Sequence, residues 1–278
     1  MPLELSNDLL KLLAKALPVL SKRQLSPLAR DLVGVFWGLR TAVLIDSVML
    51  DEGDAQSLAN AFGAENTEFS RLIVIHEAIS SQTLVVNRLL LAERAKRPTA
   101  FIEVGSKTPR LVRSAHPDVC LLALTLLPSQ LLQPPSSFAA LLETVTSHSA
   151  DSTFLSLSLP DQSSPLALIP FVGYLLDYAA VYCLDESMDG RNCLGGVELV
   201  LCEGFLINSG ERHRLLSFSY PAFLADGQSI LAGSHVRQAL LGILQHRLRD
   251  AQSDHVHLSA MQVEVEVRGG IVLDQVAL

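Results

Sequence analysis

The sequence predicts an α/β fold: a mixed sheet flanked by helices, with parallel character in the first half and largely antiparallel pairing in the second. Three observations predict it. Apolar runs end in a carboxylate at Thr41-Ala-Val-Leu-Ile-Asp46, Arg71-Leu-Ile-Val-Ile-His-Glu77 and Ala100-Phe-Ile-Glu103, the pattern of strands buried on both faces. Helical periodicity separates these runs. The tail Val263-Glu-Val-Glu-Val267 alternates strictly, as a strand with one wet face does.

The elements follow in chain order. Ser6-Asn7-Asp8 precedes Leu9, Leu10, Leu12 and Leu13, a short amphipathic helix stopped by Pro18. Ser26-Pro27 supplies an N-cap and a first-turn proline for a second helix through Leu28, Leu32 and Phe36 to about Trp37. The strand at Thr41 is followed by a helix from Asp54 to Phe62, ended by Gly63. Gln82 to Asn87 is a hairpin partner for the strand at Arg71, and Leu89 to Ala95 is helical. Pro109 to Ser114 reads as a short helix or turn, and Val119 to Leu127 as either strand or helix. Ser136 to Val145 is a helix. The serine-rich stretch Thr146 to Pro165, which alternates like a strand at 154–159, is the one candidate boundary in what otherwise reads as a single domain over 1–278. Tyr178 to Leu184, Gly196 to Ile207 and Arg214 to Tyr220 read as successive strands, with turns at Asp189-Gly190 and Ser209-Gly210. Ser229 to Arg249 is a long helix, and Gly269-Gly270 is expected to turn the last strand into Ile271-Val-Leu273.

Composition bounds the function. The chain has 278 residues, 49% of them hydrophobic, with a net charge of −8 and a mean hydropathy of +0.34. That is ample for a core. The densest basic patch is Arg94-Ala-Lys96-Arg97, too sparse for phosphate-backbone neutralisation, so no nucleic-acid partner is expected. The most apolar window, Leu166 to Leu184, contains Pro170 and Asp177. A carboxylate near a bilayer centre costs about 3 kcal/mol, so this window reads as a buried helix followed by a strand, and no membrane partner is expected. Cys120, Cys183, Cys193 and Cys202 form no CxxC pair, no Asn-x-Ser/Thr acceptor occurs, and Lys11 and Lys15 interrupt the first apolar residues, so no secretory pattern is expected there. Free thiols in a reducing, intracellular compartment, cytoplasmic or nuclear, are the expectation.

Four constellations are candidates for chemistry. Asp46, Glu77 and Glu103 each end an apolar strand; parallel neighbours would bring them to one sheet edge, with Asp51, Glu52 and Asp54 in reach. Such a cluster suits Mg²⁺ or Mn²⁺, whereas acids at strand ends also simply meet water or cap the next helix. His255 and His257 in Asp254-His-Val-His share a side on a strand, but a metal site needs a third ligand, from His213, His235 or His246. Ser217, Ser219 and Cys193 are candidate nucleophiles, His213 lies near the serines in sequence, and no Gly-x-Ser-x-Gly elbow occurs. Finally, Phe36, Trp37 and the Leu-rich first helix are an apolar surplus that either packs in the core or marks a partner surface.

Three segments in order, Trp37-Gly-Leu-Arg-Thr-Ala-Val-Leu-Ile-Asp46, Asn192-Cys-Leu-Gly-Gly-Val-Glu-Leu199 and Leu215-Leu-Ser-Phe-Ser-Tyr-Pro221 with Leu224, carry a resemblance. From about Leu28 to about Gly227 the chain resembles an uncharacterised eukaryotic domain-of-unknown-function family, whose human member is an uncharacterised open-reading-frame protein from chromosome one. The resemblance implies no activity, cofactor or catalytic residue; the matching positions include Asp46, Asn192, Cys193, Ser217 and Ser219. The expectation from sequence is a soluble intracellular protein acting by protein–protein interaction or self-association, without catalysis or a bound cofactor. The alternative is a divalent-metal-dependent enzyme on a phosphate-containing small molecule, with Asp46 as first ligand.

Overall fold

The computed structural model describes residues 7–64, 69–104, 110–113, 136–148, 152–159, 164–184, 194–225 and 229–272. Helices α1 (Asn7–Ala16), α2 (Lys22–Phe36), α3 (Glu52–Ala64), α4 (Arg88–Arg94), α5 (Ser136–Ser147), α6 (Ser164–Leu175) and α7 (Gly233–Asp254) pack on three small sheets. The first sheet has the order β1-β3-β2-β6, from Ala42–Ile45, Gln82–Asn87, Leu72–Glu77 and Phe154–Leu157. The second is β5-β4-β7, from Arg110–Arg113, Ala100–Val104 and Ala180–Leu184. The third is β10-β8-β9, from Gln262–Val272, Glu198–Asn208 and Glu211–Pro221. The α/β class with mixed pairing is therefore as expected. The parallel pairs join first-half strands to later ones, β2 to β6 and β4 to β7, and the third sheet is antiparallel throughout. Residues 146–165 supply β6 itself, and the β4–β7 pairing spans them.

Several local expectations need correction. Helix α2 starts a turn before Ser26: Gln24 Oε1 accepts from the backbone N–H of Ser21 at 3.1 Å and its hydroxyl at 2.7 Å. The Ser-x-x-Gln spacing of a capping box was thus the better start signal, and Pro27 lies within the helix. Pro109 to Ser114 contains a strand, β5, because β4 has an open edge for it to pair with. Gly269-Gly270 is no hairpin turn. The 11-residue β8 is long enough to pair with both halves of β10, and the glycines form a bulge between Arg268 and Ile271, with Gly270 at φ +75°. The β8–β9 turn is as expected, with Ser209 and Gly210 both at positive φ. Asp189-Gly190 and Val119 to Leu127 lie outside the described residues.

One large core runs beneath α1, α2, α3 and α7 and gathers one face of the first sheet with the third. A second lies between the opposite face and α5 and α6. The apolar surplus belongs to the first core. Leu9, Leu12, Leu13, Phe36 and Trp37 are all at most 6% exposed, and Phe36 stacks on Phe69 at 4.6 Å. Among the described residues no helix is long and apolar enough to cross a membrane.

The exit from α2 directs the chain into the first sheet. Gly38 adopts φ +71°, its N–H donates to Val35 O at 3.1 Å, and the Leu39 N–H donates to Gly34 O at 2.8 Å. This Schellman closure turns the chain from α2 into β1. A methyl group at Gly38 would meet nothing within 4 Å, so the cost of a side chain there is purely conformational. Gly38→Ala should destabilise by about 1–2 kcal/mol in denaturant unfolding, and Gly38→Asn by less, because Asn tolerates the left-handed region.

Candidate functional site

Between α2 and β9 lies a cleft of about 470 Å³, within the range of small-molecule sites. Its charged lining comes from three places: Arg30 and Asp31 on α2, Arg40 and Asp46 flanking β1, and Arg212, His213 and Arg214 on β9. Four consecutive β9 residues, through Leu215, face it. A regular strand inside a sheet presents alternate residues only. β9 is an edge strand, and its register against β8 shifts between Gly204 and Phe205, opposite Leu215. The bulge exposes the strand edge-on and re-aims the basic run.

Arg40 is the least exposed of the four arginines that line the cleft. It is half-buried, and its stem lies over the backbone of Gly34, where a Cβ would come within 3.1 Å of Arg40 Cδ. The glycine is therefore required by close approach. Burial pulls the Arg40 guanidinium below its ordinary range, against the attraction of Tyr178, Asp177, Asp31 and Asp46. Among the described residues Arg40 Nε and His213 Nε2 are buried without hydrogen-bond partners; His213 Nε2 stands 3.8 Å from Glu211 Oε2. At the rim, Arg212 lies over the Phe205 ring at 3.9 Å and meets Glu266 at 2.6 Å. Arg214 is 3.6 Å from Glu203. Asp31 is raised above the usual carboxylate range by burial and by neighbouring Asp46, against a Ser47 hydrogen bond and the pull of Arg40 and Arg30.

A buried ion network holds Arg40 in place. Asp177 follows α6 at φ +66°, closing that helix as Gly38 closes α2: its N–H donates to Tyr174 O and the Tyr178 N–H to Gly173 O, both at 3.2 Å. Asp is among the few residues that tolerate this conformation. Its carboxylate accepts from the Thr41 N–H and hydroxyl, both at 2.8 Å, from Arg247 at 2.7 Å and from Arg97 at 2.7 Å. Arg247, from α7, also donates to Leu39 O at 3.1 Å and Thr41 Oγ1 at 2.8 Å. The network thus grips the residues on both sides of Arg40. Burial opposes the Asp177 charge, but Arg247, Arg97 and Arg94 outweigh it and hold the carboxyl far below its ordinary range. Arg94 spends its donors on Tyr174 O, Tyr178 O and Thr99 Oγ1. The densest basic patch of the sequence is therefore largely internal.

The sequence candidates scatter. β1 and β2 run the same way but β3 lies between them, so Asp46 and Glu77 flank Gln82 across two strand spacings, roughly 10 Å. Glu103 sits on β4 in another sheet. Glu77 accepts from the Ser80 N–H and hydroxyl, the Ile79 N–H and the Leu159 N–H. Burial pushes its carboxyl up, yet these donors prevail and hold it below the usual range. Asp51 Oδ1 caps α3 through the Asp54 N–H at 2.8 Å, and Glu52 accepts from Ser156 at 2.7 Å. No group of three or more His, Cys, Asp or Glu placed to hold a metal occurs among the described residues. His255 ends α7 and His257 lies in the 3₁₀ turn Val256–Leu258 rather than on a strand. Ser217 and Ser219 are half-buried on β9, and Ser217 lies four extended residues, roughly 13 Å, from His213. Burial pushes the Cys183 and Cys202 thiols up to about 12; Cys193, Asn192 and Cys120 lie outside the described residues. Only Asp46 joins the cleft. The triplet Arg212-His-Arg214 was visible in sequence, while Asp31, Arg40 and Asp177 carried no local signal beyond being polar among apolar neighbours.

Fold and cleft together define an α/β protein with an arginine-rich cleft beside its first strand. The chain belongs to a family described as a domain of unknown function (DUF4504), whose model matches residues 11–266. No curated protein and no solved structure matches.

Two substitutions test the electrostatics. Asp177 has a folded pKa below its unfolded value, so its contribution is full above the ordinary carboxylate pKa and is lost as pH falls toward the folded one. Asp177→Asn should cost about 3–5 kcal/mol at neutral pH by leaving Arg247 buried and unpaired, and should flatten the stability profile below about pH 4. Asp177→Gly, despite suiting the backbone better, should be as damaging. Asp31 has the opposite sign: its raised pKa is a penalty, full above the folded pKa and absent below the ordinary 3.8. Asp31→Asn should raise the melting temperature at pH 7 and leave it unchanged near pH 3.

Proposed function

We propose that the chain works by binding rather than catalysis, and that its working surface is the α2–β9 cleft, which receives an anionic group. The supporting observation is the meeting of four arginines in one cleft with two buried nitrogens, Arg40 Nε and His213 Nε2, that make no hydrogen bond among the described residues. A buried donor without an acceptor costs about 1–3 kcal/mol. An oxyanion supplies the acceptor, and guanidinium groups bind phosphate and carboxylate in a fork geometry. An acidic or phosphorylated side chain of a protein partner offers the same chemistry as a free anion, so the partner we propose is one that presents such a group to a charged surface. The second reading, a Mg²⁺- or Mn²⁺-dependent enzyme on a phosphate-containing small molecule, draws on Asp46 and Asp31 lining the same cleft as the arginines.

One thermal-shift titration separates them. Inorganic phosphate at a hundred times its dissociation constant should stabilise the full chain by about 2.7 kcal/mol. Arg40→Met should abolish that shift while leaving the ligand-free melting temperature unchanged or higher, since a desolvated charge is removed. An equal shift in wild type and variant, or none in either, overturns the binding reading. A shift that requires Mg²⁺ or Mn²⁺ and disappears in Asp46→Asn, together with turnover of a phosphate ester, establishes the metal-dependent one.

A further inference from the structure

The β9 wall of the cleft carries backbone groups as well as side chains. Ser209-Gly210 is a two-residue turn, so Asn208 and Glu211 are the hydrogen-bonded pair that closes the hairpin. Pairs alternate from there. His213 therefore bonds to β8 opposite Leu206, while Arg212 and Arg214 turn their N–H and C=O groups away from β8. Among the described strands β9 ends the third sheet, and both residues line the cleft. Farther along the same edge the Ser219 carbonyl points outward too, and accepts from the Tyr182 hydroxyl of β7 at 2.8 Å. An open strand edge beside a groove is a template for an extended chain.

The groove has a blind end. On β9 Arg212 and Arg214 are exposed and Leu215 is buried; on α2 Arg30 is exposed, Asp31 half-buried, and Val33 and Gly34 buried. The buried ends meet, since a Cβ on Gly34 would lie 3.6 Å from Leu215 Cδ2 and 3.1 Å from Arg40 Cδ. Arg40 Nε, bonded to that carbon, thus sits at the closed end. A chain that pairs with β9 and runs toward Leu215 must stop there, and a chain that stops ends in a carboxylate. An amino terminus in that place would meet Arg40 as a like charge. The other charges point to a monoanion. Arg212 already meets Glu264 at 3.6 Å and Glu266 at 2.6 Å, Arg214 is 3.6 Å from Glu203, and Arg30 and Arg40 both act on Asp31. Within the cleft, Arg40 Nε is the buried guanidinium N–H without an acceptor among the described residues. One carboxylate satisfies it, whereas a dianion would be repelled by Asp31 and Asp46.

We infer that the cleft takes the carboxyl terminus of an extended peptide, added to β9 as a parallel strand. The penultimate peptide residue lies opposite His213, where its N–H donates to Arg212 O and its C=O accepts from the Arg214 N–H. The terminal carboxylate accepts from Arg40 Nε. Val33, Leu206 and Leu215 line the same space and receive apolar side chains. The inference rests on the anion-binding reading above and goes beyond it by naming the partner's chemistry: a protein with a free, extended, apolar carboxyl end.

The test titrates the full chain at pH 7, by calorimetry, with acetylated tetrapeptides whose last two residues are Val, Leu or Phe, each as free acid and as amide. At least one free acid should bind, and at least tenfold more tightly than its amide, equivalent to about 1.4 kcal/mol. N-methylation of its penultimate residue removes the N–H offered to Arg212 O and should weaken binding at least tenfold. Arg40→Met should erase the difference between acid and amide. Equal binding of acid and amide overturns the inference. So does an N-methylated peptide that binds as well as its parent, which would mean a carboxylate held without a strand. Failure of every peptide, with inorganic phosphate still raising the melting temperature, overturns it and leaves anion binding intact. Loss of both responses removes the anion-binding reading as well. The wild-type comparisons stand whether or not Arg40→Met folds.

Discussion

Asp177 is the constraint on which the arrangement of this molecule turns. A carboxylate only 6% exposed is charged because three arginines and a threonine surround it, and each brings a different element. Thr41 brings the start of β1, Arg97 the chain after α4, Arg247 the long helix α7, and Asp177 itself the end of α6. Hydrophobic contact holds layers together without regard to direction; a carboxylate shared among guanidinium groups fixes distances and angles. The backbone strain at Asp177 is therefore tolerated: the left-handed turn that closes α6 also aims the carboxylate inward.

The cleft inherits its geometry from this network and its chemistry from what the network leaves out. Asp177 is saturated, whereas Arg40, set between two residues that the network grips, retains a buried nitrogen without an acceptor among the described residues. One arginine site is built for stability and the neighbouring one carries an unmet demand. Local conflict of this kind, next to a region where every polar group is satisfied, is where binding is expected.

The fold was legible in the sequence wherever burial imposes a period. Strands β2 and β3, the β8–β9 hairpin and helix α7 read directly from runs of Ile, Val and Leu, because such runs have few ways to bury themselves. Sheet partners were not legible. The choice of β6 for β2, or of β4 for β7, depends on contacts far apart in sequence, and so the convergence of Asp46, Glu77 and Glu103 could only be conjectured; β3 separates the first two, and the third lies in another sheet. The Gly269-Gly270 bulge misled for a related reason, since a pair of glycines marks a turn or a bulge according to the length of the partner strand. In the sequence Asp177 stands out only as a charge within the most apolar window. Its partners at Thr41 and Arg247 lie 136 and 70 residues away, beyond any local pattern.

Those separations order events in time. Thr41 and Arg247 are 206 residues apart, and contacts of such long range form late because chain entropy must be lost before they reward it. During synthesis at about 5–20 residues per second, the segment carrying Arg40 is made roughly 10–40 s before the helix that clamps it. Through that interval the first sheet can pair and the first helices can bury their leucines, but the arginine has nothing to hold its flanking backbone. The cleft is thus a late product of folding, completed only when the C-terminal helix docks, and a chain stopped short of α7 would carry the cleft's α2 and β9 residues without its architecture.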